Sequence, residues 1–387
     1  LLVFYGLGIV IGAGIYVLVG SVVGAAGAAA PWAFVLAGVL AGLTGLCYAE
    51  LAARFPEAAG AAAYVKEAFG SDRLSQLVGL AVAAVVVLST ASIARGAVGY
   101  AEAFLSWPVE VVAGGLVVLF TAIACLGVRE SVGFAAAMTV LEIAGLLFVV
   151  GAGWTAFATL PDRLDELLPF ADTGALAGIA AGAFLAFFAF IGFENLANMA
   201  EEAAEPERSI PRAILISLGV STLLYVVVTL VTILALTLEQ IVASPAPLLL
   251  VAARVEWFSY RLFAAIALIA VANGVLIELV MLARLLYGMA RRGWLPRGLG
   301  TVGRRWRTPV AATLVGGGVV LLFTVAVPFI SLVATTSLVT LLVFTVVNLA
   351  LWQLHRRHPR RSGFRVPRWV PPLAAAGNAA LAVMVVV

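Results

Sequence analysis

Residues 8–16, GIVIGAGIY, contain three glycines that interrupt an apolar run near the start of the chain, and this interruption is the main clue to the fold. Glycine weakens a helix by roughly 1 kcal/mol relative to alanine, so Gly12 and Gly14 on either side of Ala13 favour a local unwinding. A close helix contact is the alternative, because Gly8 and Gly12 also form a GxxxG pattern. The segment alone leaves both interpretations open.

A second stretch of this kind is 190–195, FIGFEN, in which a glycine between two phenylalanines leads into a carboxylate and an amide. The surrounding composition explains why such breaks matter. Of the 387 residues, 64% are apolar and 11% are charged, whereas an ordinary soluble domain carries about 25% charged residues. This excludes a soluble globular enzyme and predicts an integral membrane protein.

The apolar runs are long enough to cross a bilayer as helices, each of which needs about 20 residues. We predict an all-α polytopic membrane protein with eleven spans. Their approximate bounds are 2–24, 31–54, 74–105, 110–128, 133–158, 175–200, 211–236, 246–288, 309–327, 329–354 and 369–387. The eighth run is longer than one span needs, and we expect a short external helix and a membrane-surface piece at its start.

The two glycine breaks fall in spans one and six. A core of two five-helix repeats with inverted topology has its broken helices at these positions. We therefore predict one transmembrane domain over residues 1–387, with repeat one at about 1–158, repeat two at about 175–354 and an extra helix at about 369–387. This inference rests on the positions of the spans and not on similarity between the repeats.

The basic residues indicate the orientation. Nineteen of the 23 Lys and Arg residues fall in alternate loops on one side, against three on the other and Arg95 within a span. Since basic loops stay in the cytoplasm, we predict a cytoplasmic Arg-rich face and a location in the cell (inner or plasma) membrane. Such loops give no reason to expect a nucleic acid partner.

Cysteines and histidines offer little further chemistry. Cys47 and Cys125 lie inside apolar runs, and the two histidines, His355 and His358, share an Arg-rich loop. We therefore predict no disulfide, no metal site and no cofactor.

The two breaks together predict the kind of ligand. Unwound backbone at membrane depth is tolerated only where a ligand or cavity water meets its polar groups. N–H groups near Gly12, Ala13 and Gly14 suit a carboxylate, and carbonyls around 190–192 suit an ammonium group. One donor site and one acceptor site near the midplane fit the zwitterionic end of an amino acid.

At these residues the sequence resembles the amino acid–polyamine–organocation (APC) transporters, most closely their bacterial amino acid permeases. Four stretches carry the resemblance, in order and across nearly the whole chain. They are residues 8–17, GIVIGAGIYV; 48–70, YAELAARFPEAAGAAAYVKEAFG; 187–213, FFAFIGFENLANMAEEAAEPERSIPRA; and 287–309, YGMARRGWLPRGLGTVGRRWRTP. The resemblance implies the inverted-repeat bundle called the LeuT-like fold. Members usually have twelve helices and an N-terminal tail, so we expect this sequence to be part of a longer chain.

Carried over to matching positions, the resemblance also implies the substrate site. It implies that the carboxylate is cradled by Ile11, Gly12, Ala13, Gly14 and Ile15. It further implies that the amine is met, and the substrate closed over, by Phe190, Ile191, Gly192 and Phe193.

Ionisable residues within spans cost at least about 2.5 kcal/mol each on insertion scales, so each is a functional candidate. Glu142 in span five is our candidate for proton coupling; in some proton-coupled relatives a lysine of this helix fills the place of a sodium ion. The alternative is a structural pairing with Arg95 or the backbone. Glu194 is a candidate to orient the span-six break or bind a basic substrate, or else to cap the second half-helix. Glu278 is expected to face Arg284 or a neighbouring helix.

Coupling to sodium has little support in the sequence. Span eight reads AVANG at 270–274, without the adjacent hydroxyls that sodium-dependent relatives tend to carry, and a hard cation needs several oxygen ligands.

The sequence therefore predicts a secondary active transporter of amino acids that works by alternating access, as a proton-coupled symporter. The alternatives are an exchanger without ion coupling and a permease for cationic amino acids or polyamines. A membrane-embedded enzyme and a transceptor are further alternatives. The expected partners are an amino acid, protons and the lipid bilayer.

Overall fold

The structure is a computed structural model that describes residues 2–55, 60–127, 132–169, 172–199, 205–303, 307–357 and 363–386. Within these ranges the regular structure is entirely helical, as predicted. The α-helices are α1 (Leu2–Ala26), α2 (Ala30–Arg54), α3 (Gly60–Phe69), α4 (Asp72–Gly96), α5 (Val98–Ala101), α6 (Val109–Leu126), α7 (Val132–Ala152), α8 (Leu164–Leu167), α9 (Thr173–Ala186), α10 (Glu194–Asn198), α11 (Pro206–Ala235), α12 (Leu238–Ala243), α13 (Pro247–Ala252), α14 (Tyr260–Arg291), α15 (Val310–Ala326), α16 (Phe329–Arg357) and α17 (Val370–Val386).

Seven helical stretches in the described ranges are long and apolar enough to cross a membrane, and the first of them, Leu2–Arg54, contains both α1 and α2. Three shorter apolar helices lie at Ala137–Ala152, Val310–Ala326 and Val370–Met384. Each predicted span therefore contains an apolar helix, and span six contains α9 and α10. The prediction of a polytopic helical membrane protein is confirmed.

One predicted boundary was wrong. Span seven begins at Pro206 rather than Pro211, because proline fits the first helical position, where no N–H is needed. Pro211 lies inside α11. The run at 246–288 is not one helix but the short helix α13, a turn region and α14, which agrees with the expected external helix at its start.

The helix α1 occupies the centre of the bundle. It packs against α7, α9, α11 and α14, and most of its side chains after Val10 are buried. Peripheral helices instead expose apolar side chains, such as Val118 and Leu119 of α6, on a surface that lipid can cover. The centre of the bundle is therefore where a site shielded from lipid can form.

The sequence analysis placed His355 in the Arg-rich loop, and this was wrong. His355 lies in the last turn of α16 and is buried. Its Nε2 lies 2.8 Å from Oε1 of Glu50 in α2, a carboxylate that is also fully buried. The other carboxylate oxygen accepts a hydrogen bond from the Val366 N–H at 2.8 Å. This contact ties the segment before α17 to α2 and α16.

Several residues used in the sequence argument lie outside the described ranges. They are His358, Arg129, Arg304, Arg305, Arg360 and Arg361.

Candidate functional site

The break in span one is a single residue. Gly12 has the non-helical dihedral angles φ −17° and ψ −141°, and α1 continues as helix on both sides of it. A methyl group on Gly12 would meet no atom of the described residues within 4 Å. The interruption therefore faces open space, which is not filled by a neighbouring helix.

The break in span six is longer. After α9 the chain makes a 3-10 turn over Phe187–Phe190, becomes extended at Ile191 and has a positive φ of 122° at Gly192 before α10 begins. The Gly192 N–H donates a hydrogen bond of 2.9 Å to Oε2 of Glu194. Glu194 thus stabilises the turn that ends the break.

The two breaks lie against each other at glycines, where a larger side chain would clash with the other span. A methyl group on Gly14 would lie 2.7 Å from the Cα atom of Ala189. A methyl group on Gly192 would lie 2.5 Å from Cγ2 of Ile9. Spans one and six therefore approach more closely than side chains would permit.

Tyr225 of α11 joins the same two segments. Its hydroxyl lies 2.5 Å from the carbonyl oxygen of Val10 and 3.0 Å from that of Ala189, and the side chain is fully buried. A carbonyl released from a helical ladder needs another donor in an apolar surrounding. Tyr225 is within reach of one such carbonyl from each broken span.

A partly open cavity lies at this junction, with an empty volume of about 590 Å³ that includes its mouth. Spans one, three, five, six and eight line it. Five of the residues predicted from sequence line this cavity. They are Gly12, Ala13, Gly14, Glu142 and Ile191.

The other predicted site residues lie behind the cavity wall. Ile11 and Ile15 are fully buried in the core. The ring of Phe190 packs against that of Tyr225, with the ring centres 5.2 Å apart. The ring of Phe193 packs against that of Phe344, with the ring centres 5.3 Å apart. Gly192 and Glu194 make the hydrogen bond described above and do not line the cavity either.

Glu142 lies on the cavity wall with 2% of its surface exposed, and its Oε2 has no hydrogen-bond partner among the described residues. The suggested pairing with Arg95 is not formed. The guanidinium group of Arg95 instead donates to the Thr324 carbonyl oxygen at 2.6 Å and lies 3.5 Å from the Glu110 carboxylate. Glu142 is therefore a buried acid beside a cavity, without a cationic partner in the described part of the chain.

Glu278 was expected to face Arg284 or a neighbouring helix. In the structure it contacts a neighbouring helix, α4, and not Arg284. Its Oε2 accepts a hydrogen bond of 3.0 Å from the Ser89 hydroxyl of α4, and both residues line the cavity. Arg284 is exposed. Asn195 and Asn273 also line the cavity, and the sequence analysis assigned neither to the binding site. The signal that could have found Glu278 is its register, since it lies one helical turn after Gly274.

Comparison with known proteins agrees with this architecture. A sequence model of the amino acid permease family matches residues 2–387. The chain belongs to the amino acid permease family. It is 29% identical to the methylthioribose transporter of Bacillus subtilis (strain 168), over 97% of this chain and 85% of that protein. It is 32% identical to an uncharacterized transporter of Mycobacterium tuberculosis (strain ATCC 25618 / H37Rv), over 89% of this chain and 77% of that one.

A plant relative, the mitochondrial cationic amino acid transporter 3 of Arabidopsis thaliana, is 30% identical over 90% of this chain. The chain spans 60% of the length of that relative. Membership of the family makes this permease a multi-pass membrane transporter of the APC group and not an enzyme.

Proposed function

We propose that this permease is a secondary active transporter of amino acids, in which the two broken helices bind the zwitterionic end of the substrate. The observation that carries the proposal is the open space at Gly12, on a cavity that both broken spans line. Residues 12–14 supply N–H groups to the substrate carboxylate, and the span-six backbone near Ile191 supplies carbonyl oxygens to its ammonium group. Ile11, Ile15, Phe190, Gly192, Phe193 and Glu194 hold these segments in place.

The proposal includes transport by alternating access, which the same architecture supports. We propose the repeat boundaries given above, about 1–158 and 175–354, with each repeat contributing one broken helix. Movement of one group of helices against the other then opens the central cavity to either side. On the distribution of basic residues, we assign the Arg-rich face to the cytoplasm and the protein to the cell membrane.

Glu142 is our candidate for proton coupling. A charged group buried without a partner is costly, whereas a carboxylate that carries a proton is neutral. Glu142 meets that description on the cavity wall, where protonation and substrate binding can influence each other.

The test is uptake by purified permease in proteoliposomes with an imposed pH gradient, using a mixture of radiolabelled amino acids. We expect uptake that a proton ionophore lowers at least tenfold. Glu142→Gln should remove the dependence on the gradient but preserve exchange of amino acids across the membrane. Glu239→Gln, which alters an exposed glutamate of α12, is the matched control. Gradient-driven uptake by Glu142→Gln at the wild-type rate would exclude this role.

A further inference from the structure

The cavity has a second carboxylate for which the proposed function provides no partner. Glu142 and Glu278 both line the cavity, and no Lys, Arg or His is among its described lining residues. A zwitterionic substrate is neutral overall, and Glu142 is already assigned to the proton. An ionised carboxylate away from bulk water needs a counter-charge, and a cationic group on the substrate would supply that counter-charge to Glu278.

The position of Glu278 is fixed by a regular contact between two antiparallel helices. Gly274 of α14 lies against Ile93 of α4. Glu278, one turn later in α14, contacts Ser89, one turn earlier in α4. The Ser89 hydroxyl donates to Oε2 of Glu278. This hydrogen bond orients the carboxylate beside the cavity, and no ion pair to Glu278 occurs within the described ranges.

The distance along α14 from the span-one break to Glu278 suits a substrate with a long side chain. A methyl group on Gly274 would lie 3.5 Å from Cβ of Ala13, so this level of α14 faces the break in span one. Four residues of α-helix advance about 6 Å, which brings Glu278 one turn away from the proposed backbone site. A flexible chain of a few carbons that ends in an ammonium or guanidinium group can bridge that distance.

We propose that Glu278, oriented by Ser89, binds the positively charged side chain of a basic amino acid substrate. Glu278 is then the residue that determines specificity, and Ser89 is a positioning residue. This inference rests on the proposed function, because it needs the substrate's zwitterionic end to be held at the two breaks.

The test compares two probes on the purified permease, L-lysine and L-leucine, by equilibrium binding in detergent. We expect the wild type to bind L-lysine more tightly than L-leucine. Glu278→Gln should weaken L-lysine binding at least tenfold and change L-leucine binding less than twofold. Ser89→Ala should weaken L-lysine binding severalfold, and Glu278→Asp should retain more of it than Glu278→Gln does. Glu239→Gln is again the matched control.

The outcomes separate the two proposals. Binding of L-leucine without L-lysine by the wild type would overturn this inference and leave the proposed function standing. Binding of neither by folded protein would overturn both. Equal L-lysine affinity in the wild type and Glu278→Gln would overturn the inference alone. If Glu278→Gln does not fold, Ser89→Ala and the wild-type preference decide between the same alternatives.

Discussion

The breaks in spans one and six differ in how they are held. At Gly12 one residue departs from the helix, and the space beside it is open. At Ile191 and Gly192 the chain leaves the helix for several residues, a glutamate side chain accepts from the Gly192 N–H, and Ile9 fills the space beside that glycine.

This difference separates two uses of glycine that look alike in the sequence. Gly192 is required by the fold, because its φ is positive and the side chain of Ile9 lies directly opposite it. Gly12 is not required by any neighbouring atom, so its small size leaves room for a ligand. Four substitutions test this division, and they should impair the protein to decreasing extents.

Gly192→Ala should prevent normal folding. A positive φ on alanine and a methyl group 2.5 Å from Ile9 Cγ2 should each cost about 1–3 kcal/mol. We expect little monodisperse protein by size-exclusion chromatography and no uptake. Adding Ile9→Ala should recover part of the yield, since it removes the clash but not the backbone strain. A well-folded, active Gly192→Ala permease would show that the span-six break is as tolerant as the span-one break.

Gly12→Ala should leave the fold intact and lower uptake at least tenfold, because the methyl group enters the space we assign to the substrate carboxylate. The melting temperature should stay within a few degrees of wild type. Gly42→Ala in span two is the matched control, since within the described ranges a methyl group there also meets no atom within 4 Å and Gly42 is not among the cavity-lining residues. Wild-type uptake by Gly12→Ala would mean that the open space is not the binding site.

The sequence predicted the location of both breaks but could not distinguish them. Glycine content and neighbouring apolar residues report only where a helix is weak. Whether a glycine faces a cavity or a neighbouring segment depends on helix packing, here on Ala189 opposite Gly14 and on Ile9 opposite Gly192. The apolar helices were predictable because the length of apolar runs reflects the bilayer directly.

The residues missed in the site share one physical reason. Ser89 and Glu278 meet across two helices that are far apart in the sequence, so no local pattern links them. The same holds for Glu50 and His355, which are also far apart in the sequence. Contacts of this kind become visible only when the register between helices is known.

Tyr225→Phe should have a smaller effect than either glycine substitution. It retains the ring contact with Phe190 and leaves a buried carbonyl of Val10 or Ala189 without its donor, at a cost of about 1–3 kcal/mol. The melting temperature should fall by several degrees. Tyr64→Phe is the control, because the Tyr64 hydroxyl is buried without a hydrogen-bond partner among the described residues. Equal melting temperatures for the two variants would show that Tyr225 does not support the breaks.

Glu194→Gln should have the smallest effect, and it separates the two roles considered for Glu194. If the side chain only accepts the Gly192 N–H, glutamine retains an acceptor oxygen and should cost about 1 kcal/mol or less. Uptake and melting temperature should then stay near wild type, whereas Glu194→Ala should lower both.

If Glu194 instead binds the charge of a basic substrate, glutamine and alanine should reduce L-lysine uptake to the same extent, because each removes the negative charge. The decisive measurement is the ratio of L-lysine to L-leucine uptake in the two variants. We expect an unchanged ratio in both, since Glu194 lies behind the cavity wall and Glu278 lies on it. A ratio that falls in Glu194→Gln would transfer the specificity role to Glu194 and make the span-six break part of the ligand site, as we propose for Gly12 in span one.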